Sequence, residues 1–176
     1  MRVFSILPAL LLAVGTPALA AASLPNGASS LTEAHGSWTV ACGIRGEGAA
    51  AAVVCEVTQR QASKATQQQV LAIDLTPVGG AAKGVLALPL GMALAKGVVL
   101  QVDAANSTPV QAYSTCVATG CIVPLNFDAP NLKLLRAGKT LNVYATAIGD
   151  KPFKLAIPLD GLPAALDRAT ALLGKN

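Results

Sequence analysis

Four cysteines are the residues of this 176-residue chain whose type and spacing most readily suggest chemistry. Cys116 and Cys121 lie within the short stretch YSTCVATGCIVPL, and Cys42 and Cys55 lie closer to the N-terminus. Proteins use such cysteines as zinc ligands, as redox-active thiols or as structural disulfides. The compartment decides among these uses, because disulfides persist mainly outside the reducing cytosol.

The N-terminal residues predict export from the cytosol. Arg2 precedes an apolar run over 3–14, and Ala18 and Ala20 supply the small-x-small pattern that a signal peptidase accepts. We therefore predict a cleaved signal peptide over 1–20. The apolar run is shorter than the about 20 residues that a membrane-spanning helix needs, so we expect no transmembrane anchor in the mature chain.

In an oxidising compartment, four cysteines predict two disulfides, for which three pairings are possible. The sequential pairing, Cys42 with Cys55 and Cys116 with Cys121, is the simplest, but the sequence alone leaves all three open. Loop-closure entropy gives such bonds roughly 2–3 kcal/mol each, a large share of a net stability of about 5–15 kcal/mol. Gly120 permits the positive φ of a tight reversal before Cys121.

The zinc and redox hypotheses are weaker. A zinc site needs four ligands, yet Cys42 and Cys55 are far apart in sequence and the only histidine, His35, precedes the predicted core. A thioredoxin-type pair needs Cys-x-x-Cys at a helix N-terminus, whereas four residues separate Cys116 from Cys121 and their flanks resemble strands. We predict no metal site and no cofactor.

Catalytic chemistry finds little support in the sequence. A nucleophilic triad needs a base beside the nucleophile, and His35 is the only histidine. Glycoside hydrolysis needs two carboxylates facing one cleft. The acidic residues are isolated along the chain: Glu33, Glu47, Glu56, Asp74, Asp103, Asp128, Asp150, Asp160 and Asp167. We predict no catalytic residues. A hydrolase built on His35 or on a converging acid pair remains as a third functional hypothesis, behind the two given at the end of this section.

Charge and aromatic content argue against nucleic acid as a partner. The sequence has 13 Lys and Arg against 9 Asp and Glu, and loss of Arg2 with the signal peptide leaves a mature net charge near +3. Nucleic-acid-binding proteins gather basic residues on one face and interleave aromatic rings. Here the basic residues are scattered and aromatic residues make up 3% of the chain.

The elements that must position the cysteines are predicted to be short strands. Trp38, Val40 and Cys42 alternate with polar or small residues, as do residues in several later segments. Turn residues separate these segments, which favours a mainly β, antiparallel β-sandwich with one sheet face in the core. The predicted strands are 38–42, 53–58, 71–75, 98–103, 121–125, 141–145 and 155–159.

Two helices are predicted beside the strands. The first lies within 128–138, with Asn131 as its start and Gly138 as its stop. The second spans 163–173, where leucines and alanines recur every three or four residues, with Asp160 as its cap.

The folded part is predicted to be one domain over 36–176, a length usual for a single domain. Residues 21–35 are rich in Ala, Ser, Pro and Gly and are predicted to form a flexible lead-in between the signal peptide and this domain.

Several short segments follow one another in a distinctive order along the chain: WTVAC (38–42), Cys55 with Gln59, PLGMAL (89–94), GVVL (97–100), VD (102–103), YSTC (113–116), GC (120–121) and IPLDGL (157–162). Together, in this order, they resemble the invasion-associated locus B family of exported bacterial proteins. One departure is Leu162-Pro163, where the family pattern leads us to expect an aromatic residue after the glycine.

The resemblance implies a single immunoglobulin-like β-sandwich with a C-terminal helix, in the periplasm or at the outer membrane of Gram-negative bacteria, or secreted. In pathogenic members it implies a role in host-cell invasion, and it implies no catalytic residues. We expect a non-enzymatic module that binds another envelope or host protein, through residues that the sequence does not identify. The alternative is a periplasmic small-ligand or carbohydrate carrier, against which the scarcity of aromatic residues argues.

Overall fold

The computed structural model describes residues 22–174, so the predicted signal peptide over 1–20 lies outside the described residues. Ten strands and two α-helices occur in this part of the chain. The strands are β1 (Ser30–His35), β2 (Trp38–Arg45), β3 (Ala52–Ala62), β4 (Gln69–Val78), β5 (Ala81–Leu88), β6 (Val99–Val102), β7 (Thr115–Val117), β8 (Gly120–Phe127), β9 (Thr140–Ala147) and β10 (Lys151–Pro158), and the helices are α1 (Ala129–Ala137) and α2 (Leu162–Leu173).

The strands form two antiparallel sheets. The larger has the order β1-β2-β3-β4-β5-β8-β7, and the smaller has the order β10-β9-β6. The first five strands follow one another as hairpins, after which the chain passes through β6 in the small sheet before returning in β7 and β8. The predicted fold class, a mainly β antiparallel sandwich with a C-terminal helix, is confirmed.

The core lies between the inner face of the large sheet, the small sheet and the two helices. Trp38, Val40 and Cys42 are buried on β2, as their alternation predicts. The Trp38 indole N–H and the Gln59 side-chain amide both donate to the Pro158 carbonyl, at 3.0 and 3.1 Å. These bonds attach β10 of the small sheet to β2 and β3 of the large sheet.

The helix starts differ from the sequence prediction by a few residues. The carboxylate of Asp128 accepts a hydrogen bond from the backbone N–H of Asn131 at 3.0 Å, so Asp128 is the N-cap of α1 and Asn131 lies in its first turn. Gly138 ends α1, as predicted. Asp160 does not cap α2, because its carboxylate accepts from the backbone N–H and hydroxyl of Ser37; Gly161 precedes the helix instead.

The predicted flexible lead-in over 21–35 differs from the structure in its second half, which is strand β1. Leu24, earlier in the same segment, is only 3% exposed and belongs to the core. Strand β1 lies at a sheet edge and is mostly polar, so it lacks the strong apolar alternation by which the other strands are recognised. Pairing with β2 along its full length holds it in place.

Strands β5 and β7 were not among the predicted strands. The β5 sequence AAKGVLAL includes a glycine and has apolar residues on both faces, so its period-two pattern is weak. Strand β7 has only 3 residues. Across residues 22–174, the structure contains no helix whose length and hydropathy would let it cross a membrane.

Candidate functional site

The four cysteines are joined in two pairs across neighbouring strands. Cys42 of β2 is bonded to Cys55 of β3, and Cys116 of β7 is bonded to Cys121 of β8. Each pair occupies directly opposed positions of an antiparallel ladder. Their Cα atoms are 4.1 and 3.9 Å apart, close to the spacing of about 4.5 Å that non-hydrogen-bonded positions have. Both bonds therefore hold strands together.

His35, the only candidate base, lies at the end of β1 beside the ion pair between Glu33 and Arg168. Its Nε2 is 3.5 Å from Glu33 Oε2, and that nitrogen has no hydrogen-bond partner among residues 22–174. Glu33 accepts two hydrogen bonds from Arg168 of α2, both 2.7 Å long. The hydrogen bond with Arg168 is the main reason why the pKa of Glu33 is lowered. This cluster attaches α2 to β1.

Most of the acidic candidates have separate structural partners. Asp103 accepts from the backbone N–H groups of Lys139 and Thr140, both at 2.9 Å, and so links β6 to the start of β9. Within residues 22–174, the structure contains no group of three or more His, Cys, Asp and Glu that could hold a metal ion. Two further acids form ion pairs, Asp150 with Lys96 and Asp167 with Arg136.

Asp74 differs from these acids in its surroundings. It lies on the outer face of the large sheet, the face turned away from the core, with its carboxylate 3.4 Å from Arg60 Nη2. Burial raises the pKa of Asp74, and the nearby Glu56 carboxylate acts in the same direction, while Arg60 opposes both. The Asp74 side chain is 27% exposed, so its neighbours on the outer face shield part of the carboxylate from water.

A groove of about 730 Å³ crosses the outer face of the large sheet beside Asp74. We call it the outer-sheet groove. It is lined by Arg60, Gln68, Gln69, Ala72, Asp74, Val85, Ala87, Pro89, Leu90, Ala118, Thr119 and Ile122.

The groove exists because short side chains meet at the centre of the sheet. Arg60 of β3 is opposite Ala72 of β4, Ala72 is opposite Ala87 of β5, and Ala87 is opposite Ile122 of β8. Side chains alternate along each strand, so these positions all project from the outer face. Two adjacent alanines therefore leave a trough between the longer side chains of Arg60 and Ile122.

The hairpin of β7 and β8 forms one wall of the groove. Ala118 and Thr119 lie at its tip, and the disulfide Cys116–Cys121 closes it. Gly120 has φ 143°, and a Cβ atom there would lie 2.3 Å from the Leu88 carbonyl oxygen. Glycine at this position lets the hairpin sit directly against β5. The cysteine stretch that first suggested chemistry therefore shapes a surface.

The groove combines an apolar floor with a polar side. Alanine, valine and isoleucine form the floor, and Leu90 on the rim is 57% exposed. The Arg60–Asp74 pair and the amides of Gln68 and Gln69 form the polar side. None of the described residues that line the groove is aromatic, so a sugar ring would find no stacking partner. The groove suits a chain segment with small apolar side chains and backbone polar groups.

Two other cavities differ from the outer-sheet groove in position and size. A groove of about 510 Å³ lies between the two helices and the turn that joins β4 to β5, and a cavity of about 20 Å³ lies beside Phe127. Ligand sites usually have volumes of about 300–1,000 Å³, so the smaller cavity is too small for a ligand. The ion pair of Arg136 with Asp167 borders the groove between the helices.

Comparison with known proteins adds evidence on the family. The model of the invasion associated locus B (IalB) protein family matches residues 38–170. The chain is 42% identical over 154 residues to an invasion protein B homolog of Brucella abortus (strain 2308), with 86% of each protein covered. It is 38% identical over 155 residues to invasion protein B of Bartonella bacilliformis, covering 86% of this chain and 81% of that protein.

A solved structure is also similar. The crystal structure of invasion associated protein b from Bartonella henselae superposes with a TM-score of 0.75 at 33% sequence identity, covering 83% of this chain and 99% of the solved chain.

Proposed function

Because this chain belongs to the invasion associated locus B (IalB) family, we propose that it is a non-enzymatic, exported envelope protein that binds another protein through the outer-sheet groove. The resemblance drawn from the sequence is confirmed by the family match. The relatives are named invasion proteins, which supports a role in association with host cells. Two disulfides fit an oxidising compartment, here the periplasm or the outer membrane.

The observation that carries the proposal is the groove itself. Protein interfaces commonly have an apolar centre and a polar rim, and the groove has an alanine floor beside Arg60 and Asp74. Leu90 on its rim and Val117 on the adjoining hairpin are 57% and 48% exposed. Large exposed apolar side chains that gather at one place often mark a binding surface.

The rigidity of the groove also supports binding. Its floor consists of paired strands, and the disulfide Cys116–Cys121 holds the hairpin that forms one wall. A surface that is already ordered before binding loses less conformational entropy when a partner is bound. A protein segment placed along the floor would contact Ala72, Ala87 and Ile122.

The arrangement of the acids supports the non-enzymatic part of the proposal. Glu33 is held by Arg168, Asp128 caps α1 and Asp160 binds Ser37. Each of these groups has a structural role that accounts for its position. A small-ligand carrier is the second candidate, and the groove volume of about 730 Å³ favours it, because this value lies within the usual range of ligand sites.

Filling the groove tests the proposal. Ala87→Trp places a large ring on the floor, and Ala41→Trp places the same ring on the outer face of β2, outside the groove. We expect the native and Ala41→Trp proteins to capture the same envelope or host-surface protein after mild crosslinking, and Ala87→Trp to lose it. Equal capture of that protein by Ala87→Trp would contradict the proposal.

The same variants separate the two candidate functions. Native mass spectrometry of protein isolated from the envelope would detect a bound small molecule. If such a molecule is present in the native protein and absent from Ala87→Trp, the carrier function is favoured over protein binding.

A further inference from the structure

Strand β1 leaves the outer edge of the large sheet open. Ile44 N–H donates to the Ser29 carbonyl at 3.2 Å, and the same register pairs Leu31 with Cys42 and Glu33 with Val40. In an antiparallel pair, alternate residues exchange backbone hydrogen bonds with the neighbouring strand. Leu31, Glu33 and His35 therefore bond to β2, and the residues between them direct their backbone N–H and C=O groups away from the sheet.

These outward groups belong to Ser30, Thr32 and Ala34. Within residues 22–174, no hydrogen-bond partner reaches them from another element. Their side chains are small and exposed, so an approaching strand would meet little steric obstruction. Natural proteins usually protect such an edge with proline, lysine, a bulge, an inward-pointing charge or a covering loop. Of these, β1 has only the inward-pointing charge of Glu33, which Arg168 neutralises.

The small sheet, in contrast, has both of its edges covered. On β10, Pro152 and Pro158 lack an N–H, and the Ala156 carbonyl accepts from the Gln61 side chain at 2.9 Å. On β6, Leu100 exchanges hydrogen bonds with Thr108 of the following loop, at 2.8 and 3.0 Å.

The opposite edge of the large sheet is short. It is strand β7, with only 3 residues, and short edge strands resist pairing with another chain. In the described part of the chain, β1 is thus the long edge strand whose outward backbone groups are open to another strand, with six residues.

We propose that β1 binds the same strand of a second copy of this chain, so that the two large sheets become one continuous sheet. The contact is antiparallel and two-fold symmetric, with Thr32 opposite its counterpart in the second copy. Ser30 then lies opposite Ala34, and all the outward N–H and C=O groups of these residues are paired. A two-fold contact needs a surface that complements itself, and this strand meets that condition.

The charges on β1 favour this register over its neighbours. With Thr32 at the two-fold axis, Leu31 lies opposite Glu33, and no two like charges face each other. Moving the axis by one residue to Glu33 would place two carboxylates directly opposite, which is destabilising. Moving it to Leu31 shortens the overlap. Glu33 keeps its bonds to Arg168 on the inner face in the favoured register.

Charge substitution at the axis tests the proposal on the mature, disulfide-bonded protein. Sedimentation equilibrium should show the native protein as a dimer and both Thr32→Lys and Thr32→Glu as monomers, because each variant places like charges opposite each other. An equimolar mixture of the two variants should regain the dimer mass. Thr115→Lys, on the opposite edge strand β7, is the matched control and should remain a dimer.

Hydrogen exchange gives a second readout at the strand itself. The backbone N–H groups of Ser30, Thr32 and Ala34 should exchange slowly in the native protein and rapidly in Thr32→Lys, while those of Leu31 and Glu33 stay protected in both. A native protein that remains monomeric up to its solubility limit would overturn the proposal, as would charged variants that remain dimers or a mixture that stays monomeric. Ala87→Trp should still dimerise, so failure of this proposal is separable from failure of the groove.

Discussion

Glu33 and Arg168 show how one residue pair joins two elements. The two hydrogen bonds between them, each 2.7 Å, connect edge strand β1 to helix α2. Both side chains are about one-third exposed, at 30% and 32%, so solvent weakens their attraction. Their importance lies in position, since β1 has few apolar contacts of its own to hold it against α2.

The pH dependence of stability should reveal this pair. Because Arg168 lowers the pKa of Glu33 in the folded chain below its ordinary value of 4.5, the carboxylate stabilises the fold above that value. This contribution is lost as the pH falls through the lowered pKa. We expect Arg168→Met to reduce the free energy of unfolding at pH 7, with a difference from the native protein that shrinks in acid.

Urea unfolding at several pH values measures the effect of Arg168→Met. Glu33→Gln is the control background, in which the effect of Arg168→Met should no longer vary with acid pH. A difference from the native protein that stays constant down to pH 2 would contradict the assigned ion pair.

At the scale of elements, the two disulfides have different surroundings. Cys42 and Cys55 are 6% and 2% exposed and lie among the core side chains of β2 and β3. Cys121 is also buried, but Cys116 is exposed on the hairpin that forms the wall of the outer-sheet groove. One bond therefore belongs to the core, and the other shapes the proposed binding surface.

Removal of each bond should separate stability from binding. Replacing Cys42 and Cys55 by alanine should cost about 3 kcal/mol of unfolding free energy and leave partner binding by the folded protein unchanged. Replacing Cys116 and Cys121 should cost about 2 kcal/mol and weaken partner binding, because the hairpin wall loses its closure. Chemical denaturation and partner capture are the two measurements.

The pairing itself can be determined by peptide mapping without reduction. The expected crosslinked peptides join Cys42 to Cys55 and Cys116 to Cys121. A peptide that joins Cys42 to Cys116 would contradict this arrangement.

At the scale of the whole molecule, the described chain is folded well before residue 36. Leu24 is buried in the core, and β1 completes one edge of the large sheet. The turn that follows β1 is held from the far end of the chain, because Asp160 binds Ser37, and Gly161 lies so close to the His35 carbonyl that a Cβ atom would clash. The N-terminal hairpin and the start of α2 thus depend on each other.

A truncated chain tests this dependence. A protein that begins at residue 36 would lack β1 and Leu24 and would leave Arg168 without Glu33. We expect it to lose more than about 3 kcal/mol of unfolding free energy relative to a protein that begins at residue 22, since a buried leucine contributes about 1.5–3 kcal/mol and each strand hydrogen bond about 1 kcal/mol. Thermal and urea unfolding of the two proteins measure the difference, and equal stability would support the boundary expected from the sequence.

The boundary near residue 36 was misplaced for a physical reason. The core strands can be recognised in the sequence by their apolar alternation, as at Trp38, Val40 and Cys42. An edge strand such as β1 needs no such pattern, because only part of one face is covered. The sequence also places the start of α1 three residues too late. Both Asp128 and Asn131 are suitable capping residues, and only the hydrogen bond from the Asn131 N–H to the Asp128 carboxylate shows which of them is the N-cap.

The sequence by itself determined the family and the fold class, because turn residues and strand alternation are local patterns, and each family-typical segment can be recognised from a few neighbouring residues. The tertiary structure alone decided that Ala72 and Ala87 meet beside Ile122 to open a groove, and that the backbone of Thr32 faces outward. Strand order and register depend on contacts between residues far apart in the chain. No local pattern encodes them, so the surfaces proposed to bind a partner and a second copy emerge only when the sheets are assembled.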